Sequence, residues 1–144
     1  MELNSLTSVN LFRISGNVNL NNLNFGSLSL VETELLIYEN INLQSVNFSS
    51  LSSVGTLDIY DYGNIEILEF NSLSSISTNL NIHNNEILRR VNFPSLVSVS
   101  NDLNITANSN LESLGFPLLS SIGENLEIIG NSNLESVDFS SLSS

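Results

Sequence analysis

Five side chains in this sequence have types and spacings that could carry chemistry. Tyr38, Tyr60 and His83 recur every 22–23 residues, and Asp58 and Asp61 flank Tyr60. A histidine that acts as a general base needs a nucleophile and an orienting acid in one pocket. The many serines fall at repetitive positions without a G-x-S-x-G elbow. With one His and no Cys, a transition-metal site is not expected. We therefore expect no enzymatic activity, no metal and no cofactor.

The same five residues favour a binding surface. The residue after each alternating L-x-I pair should point outward, and this column reads Ser15, Tyr38, Tyr60, His83, Thr106, Ile129. Aromatic side chains about 5 Å apart, rimmed by Asp58 and Asp61, could stack on sugar rings or anchor a protein partner. The alternative is ordinary cross-strand packing on a half-exposed sheet. A D-x-x-D pair also offers oxygen ligands to calcium, although it lacks the spacing of an EF-hand loop.

These residues recur because the chain is built from near-copies of one unit, which is cleanest at residues 116–139. Each F-x-S-L-S-S-[IV] segment opens with a large apolar anchor, at Leu3, Phe25, Phe48, Phe70, Phe93, Phe116 and Phe139. The anchors are 22 or 23 positions apart, and the length varies at one place. Two residues separate Val54 from Leu57, and three separate Ile122 from Leu126. Variable length predicts a turn at that place.

Within one unit the apolar residues predict three short extended segments. In the fourth full unit these are the alternating pair Leu80 and Ile82, residues 88–93 and residues 96–99. Asn, Ser and Gly between the segments are turn formers. No 3.6-residue period extends over ten residues, so no regular helix is predicted. We predict an all-β fold in which residues 1–144 form a single right-handed parallel β-solenoid of about six coils, each strand bonded to its copy one coil away.

A column of asparagines lies eight residues before the anchors. Stacked Asn side chains can bond each other and the turn backbone along the solenoid axis. We therefore predict a structural ladder formed by Asn17, Asn40, Asn85, Asn108 and Asn131. Tyr62 interrupts the column and predicts a locally irregular coil.

The charge balance excludes some partners. The formal net charge is −12, and the only cations besides the histidine are Arg13, Arg89 and Arg90. Such a chain should repel phosphate backbones, so we expect no nucleic-acid partner. No apolar run approaches 18 residues, so no membrane insertion is expected. Arg89 shares its repeat position with Glu66 and Glu112, which predicts an alternating-charge ladder instead of a basic patch.

The repeat L-x-I-x-x-N-x-N-L-x-x-[LV]-x-F-x-S-L-S-S-[IV]-G-x-N resembles the receptor L-domain branch of the leucine-rich-repeat group. It is also similar to fungal GPI-anchored cell-wall proteins and related microbial surface repeat proteins. The resemblance covers essentially the whole chain, and its last copy is carried by Leu126, Ile128, Asn131, Leu134, Val137 and Phe139. It implies a right-handed solenoid that serves binding or adhesion, usually outside the cell or at its surface.

Both ends carry strand-forming sequence without a capping helix, at residues 3–9 and 139–144. We expect a solenoid uncapped at both ends, either as a fragment of a longer protein or as one whose open ends pair with another chain.

The leading functional expectation is a non-catalytic, surface-associated binding or adhesion module whose ligand is a cell-surface protein or glycan. The alternative is a structural protein that stacks end to end. Ice binding is a minor alternative, raised by a flat serine strip at Ser50, Ser72 and Ser95.

Overall fold

The computed structural model describes residues 5–61 and 63–144. Within these ranges the chain forms fifteen β-strands and no helix. The strands are β1 (Ser8–Ser15), β2 (Asn22–Asn24), β3 (Leu30–Tyr38), β4 (Ser45–Asn47), β5 (Ser53–Tyr60), β6 (Ile67–Glu69), β7 (Ser75–Ile76), β8 (Leu80–His83), β9 (Arg90–Asn92), β10 (Ser98–Val99), β11 (Leu103–Thr106), β12 (Ser113–Gly115), β13 (Ser121–Ile122), β14 (Leu126–Ile129) and β15 (Ser136–Asp138).

Every described strand pair is parallel and joins residues 22 or 23 positions apart. Leu103 of β11, for example, is in register with Leu80 of β8 on one side and Leu126 of β14 on the other. The backbone hydrogen bonds of one coil are thus completed by the coils above and below it. The predicted all-β parallel solenoid of about six coils is confirmed, whereas its right-handedness remains a prediction from the sequence.

Two of the three extended segments of each unit belong to one sheet. The third segment of one unit and the first segment of the next lie end to end along one coil, and both belong to a nine-stranded sheet. In β1, β3 and β5 they form one continuous strand, so the turn predicted between them is wrong for these coils. The extra residue of β3 is absorbed as a register shift between Val31 and Glu34, because a bulge accommodates one residue without breaking the strand. In later coils a bend separates the two segments.

The middle segment of each unit forms the opposite side of the solenoid. These strands make a two-stranded sheet, β2–β4, and a four-stranded sheet, β6–β9–β12–β15. The pairing of the middle segments is interrupted between β4 and β6, which precede and follow residue 62 in the sequence. Tyr62 itself, with the irregularity predicted for it, and the anchor Leu3 lie outside the described residues.

The phenylalanine anchors form a continuous column through the core. Phe25, Phe70, Phe93 and Phe116 are completely or almost completely buried. From Phe25 to Phe139, successive ring centroids are 5.1–6.0 Å apart with nearly parallel planes. Each ring therefore packs on rings of the neighbouring coils. A single repeat unit is too small to bury its own apolar face, so it needs these contacts between coils.

Candidate functional site

Three aromatic side chains stack on the outer face of the nine-stranded sheet. Tyr38 ends β3, Tyr60 ends β5 and His83 ends β8, and the parallel register places the three side by side. The centroids of Tyr38 and Tyr60 are 4.9 Å apart with planes inclined by 10°. Those of Tyr60 and His83 are 4.7 Å apart and inclined by 8°. We call these three residues the aromatic strip.

The ring faces inside the strip cover each other. Both faces of Tyr60 are occupied, one by Tyr38 and the other by His83. The outer face of Tyr38 points toward the Ser15 position and that of His83 toward Thr106, since these are their neighbours in the register. Along most of its length the strip therefore presents ring edges and phenolic hydroxyl groups to solvent.

Asp58 lies beside the imidazole of His83. Its Oδ1 atom is 3.4 Å from His83 Nε2, longer than an ordinary N–H···O hydrogen bond. This oxygen is buried and has no hydrogen-bond partner in the described part of the chain. Burial raises the pKa of the Asp58 carboxyl, the positive potential of His83 opposes that shift, and Glu34 adds to it. The other ring nitrogen, His83 Nδ1, lies 3.3 Å from the side-chain nitrogen Nδ2 of Asn84.

The residues that follow the three strip residues, and the one that follows Thr106 in the same column, adopt left-handed backbone conformations. Glu39, Asp61, Asn84 and Ala107 have φ angles of 54°, 51°, 56° and 54°. This conformation turns the chain sharply at the end of each strand. Glu39 and Asp61 directly follow Tyr38 and Tyr60 in the chain, and both are exposed. Burial raises the pKa of the Tyr60 phenol, and Tyr38, Asp58, Glu39 and Asp61 raise it further, so the strip lies in negative surroundings.

The predicted asparagine column forms a hydrogen-bonded network across coils. Asn108 Oδ1 accepts from Asn85 N and Nδ2 at 3.1 and 2.9 Å. Asn131 Oδ1 accepts from Asn108 in the same way, at 3.0 and 3.2 Å, and Asn40 Oδ1 accepts from Asn17 at 3.1 and 3.2 Å. Asn40, Asn85 and Asn108 are buried. The three buried asparagines therefore hold the turn next to the strip and are not available to a ligand.

Two other predicted surface features bond within the protein. Arg89 contacts the Glu112 carboxylate through Nε at 3.0 Å and Nη2 at 2.5 Å, as expected for a charge ladder. The hydroxyl groups of Ser50, Ser72 and Ser95 donate to backbone carbonyls of the preceding coil at 2.5–2.6 Å. The hydroxyl proton of each serine considered for ice binding is therefore already donated within the protein.

The imidazole of His83 lies between the carboxylate of Asp58 and the side-chain amide of Asn84. Among residues 5–61 and 63–144 there is no cluster of three or more His, Asp or Glu side chains able to hold a metal ion. In the same ranges no helix is long and apolar enough to cross a membrane.

The sequence pattern predicted that Tyr38, Tyr60, His83, Asp58 and Asp61 share one face. The structure brings Tyr38, Tyr60, His83 and Asp58 together on the sheet. Asp61 lies in the turn that follows Tyr60. The sequence pattern did not identify Glu86 or the contact between Asn84 and His83. The N-x-N pattern pointed to a turn, and Glu86 occupies a position held by Gly63 and Ser109 in neighbouring coils. The available signal was that Glu86 places an acidic side chain where the neighbouring coils have Gly63 and Ser109.

Comparison with known proteins does not assign the chain to a family. It matches no protein-family model, no curated protein and no solved structure.

Proposed function

We propose that this chain is a non-catalytic binding or adhesion module that acts outside the cell or at its surface. The aromatic strip with Asp58 and Asp61 is the contact surface, and the ligand is a protein or a glycan. The observation that carries the proposal is the stack of Tyr38, Tyr60 and His83 on an outward sheet face. Aromatic side chains concentrate binding energy when a partner excludes water from them.

The repeat pattern supports the surface location. Its likeness to receptor L domains and to microbial cell-wall repeat proteins rests on the L-x-I, Asn and Phe columns. Solenoids of this kind present long, regular faces on which a few side chains determine the partner. Here the regular columns form the scaffold, and the strip is the part of the outer column that departs from small or aliphatic residues.

A double substitution, Tyr38→Ser with Tyr60→Ser, tests the proposal. Thr106→Ser is the matched control, because it lies in the same column outside the stack. Each protein is screened against immobilised glycans and cell-surface proteins, and its thermal unfolding is recorded. We expect the double variant to lose ligands that the control retains, while both remain folded. If the double variant captures the same ligands as the control, the strip is not the contact surface.

A second candidate function is self-association through the last coil. Leu126 and Val137 are 42% and 44% exposed there, whereas their counterparts one coil earlier, Leu103 and Leu114, are buried. The same column holds Arg13 in β1 and Glu127 in β14, so a second copy stacked head to tail would bring opposite charges together.

The register of the repeat limits how two copies can stack head to tail. Residues 5–8 and 141–144 occupy the same phase of the repeat, so one of these two segments must be displaced in a head-to-tail stack. Sedimentation over a hundredfold concentration range tests the idea, with Leu126→Lys as the comparison variant. An average molecular mass that rises with concentration only in the unmodified protein supports stacking. A constant monomer mass in the unmodified protein excludes it.

A further inference from the structure

A groove runs along the solenoid axis directly beside the aromatic strip. It crosses four successive coils, from Asp61 through Asn84 and Ala107 to Gly130, and has a volume of about 650 Å³. Asp61 and Asn84 immediately follow Tyr60 and His83, so the edges of the strip border the groove. Its floor is formed by the left-handed turns, whose side chains become small toward Ala107 and Gly130. We call this feature the axial groove.

The charge of the axial groove is negative and is not balanced by a cation. Asp61 and Glu86 line it, and Glu39 precedes Asp61 in the column of turns. All three are exposed, and no ion pair in the described part of the chain engages them. Like charges on adjacent coils repel each other, so a cationic ligand relieves a repulsion that the isolated protein contains.

The ring geometry disfavours a ligand that stacks on the strip. A sugar or a guanidinium group needs a free aromatic face, and the faces between Tyr38, Tyr60 and His83 are occupied by one another. The available groups are the phenolic edges and the carboxylates, which accept hydrogen bonds from ammonium and guanidinium donors. Ile87, which is 40% exposed, adds an apolar wall.

We propose that the axial groove binds an extended, basic peptide segment of a partner protein, lying along the solenoid axis with its cations on Glu39, Asp61 and Glu86. The inference rests on the proposed binding function and names its partner class. From Asp61 to Gly130 the groove covers three steps between coils of about 4.8 Å, and Glu39 adds one more step before Asp61. The resulting contact line is roughly 19 Å long, which matches about six residues of extended chain at about 3.3 Å each.

The test uses a fluorescein-labelled heptapeptide of alternating Lys and Thr, with the same peptide carrying Gln for Lys as the neutral probe. Anisotropy is measured at low salt and at about 150 mM salt, where surface charges are screened beyond roughly 8 Å. The groove variant combines Glu39→Gln, Asp61→Asn and Glu86→Gln. Asn tolerates the left-handed conformation at position 61, so this variant keeps the turn.

The control variant removes the same number of charges at positions away from the groove, by Glu69→Gln, Glu124→Gln and Glu135→Gln. These three acids are exposed and lie outside the groove. Both variants therefore change the net charge of −12 equally. We expect the Lys peptide to bind the unmodified protein about tenfold or more tightly than the groove variant and within about threefold of the control variant, and to weaken with salt.

Equal losses in the two variants, or equal binding of the Gln peptide, would overturn the inference. An oligosaccharide that binds and is released by the tyrosine double substitution, with no Lys-peptide binding at low salt, would also overturn it and would leave the proposed binding function standing. If neither peptides, glycans nor surface proteins bind, the binding function itself fails.

Discussion

Replacing the buried Asn108 with Ala should lower the free energy of unfolding more than replacing an exposed asparagine with Ala. The side chain of Asn108 is buried. Its Oδ1 accepts both bonds from Asn85, and its Nδ2 donates to the carbonyls of Ile82 and Thr106 and to Asn131 Oδ1, at 3.0–3.2 Å. Alanine removes the acceptor of one backbone N–H and the donor to a carbonyl of the preceding coil. At about 1–3 kcal/mol for each buried backbone group, the loss is roughly 2–6 kcal/mol.

Asn110→Ala is the matched control, because it changes the same residue type in the same coil. Asn110 is exposed, donates to the Glu86 carbonyl and accepts from Asn133. Water can replace these partners, so its cost should stay below about 1 kcal/mol. Urea unfolding followed by far-UV circular dichroism gives both values, and the midpoint of thermal unfolding of Asn108→Ala should fall by roughly 10 °C. Equal costs for the two variants would refute the ladder as a source of stability.

Two further outcomes follow from backbone packing and from titration. Gly55→Ala should cost about 1–3 kcal/mol, because a Cβ there meets the carbonyl of Thr33, whereas Gly26→Ala makes only contacts of 3.5–3.6 Å and should be nearly neutral; similar unfolding midpoints in urea would contradict this. Asp58→Asn should raise the thermal midpoint at pH 7, because burial raises the pKa of Asp58 and the ionised carboxylate is then a cost. This gain should vanish as the pH falls below about 4, and a lower midpoint at pH 7 would show that attraction to His83 outweighs burial.

The parallel solenoid was predictable because its signal is repeated six times. Anchors such as Phe48, Phe70 and Phe93 recur every 22 or 23 residues, and a ring that must pack on its copy leaves few other folds. The merging of two segments into β3 and β5 was not predictable from the same pattern. A change of length marks both a turn and a bulge, and the choice depends on whether the neighbouring coil offers a continuous edge for pairing.

The candidate site was predictable as a column but not as a surface. The period of two within a strand placed Tyr38, Tyr60 and His83 outward on one face. Whether rings offer their faces or their edges depends on side-chain torsion angles, which a periodic pattern does not contain. The burial of Asp58 beside His83 and the groove lined by Glu86 depend on the packing of neighbouring coils for the same reason.

The pairing of each strand with its copy one coil away also sets how the molecule responds to tension along its axis. The hydrogen bonds between coils run parallel to such a force, so they are loaded in a peeling geometry and not all at once. Each coil that detaches releases 22–23 residues, or roughly 80 Å of extended chain, from a layer that was about 4.8 Å thick. The coils beneath keep their own bonds, so the protein lengthens in steps while its remainder stays folded.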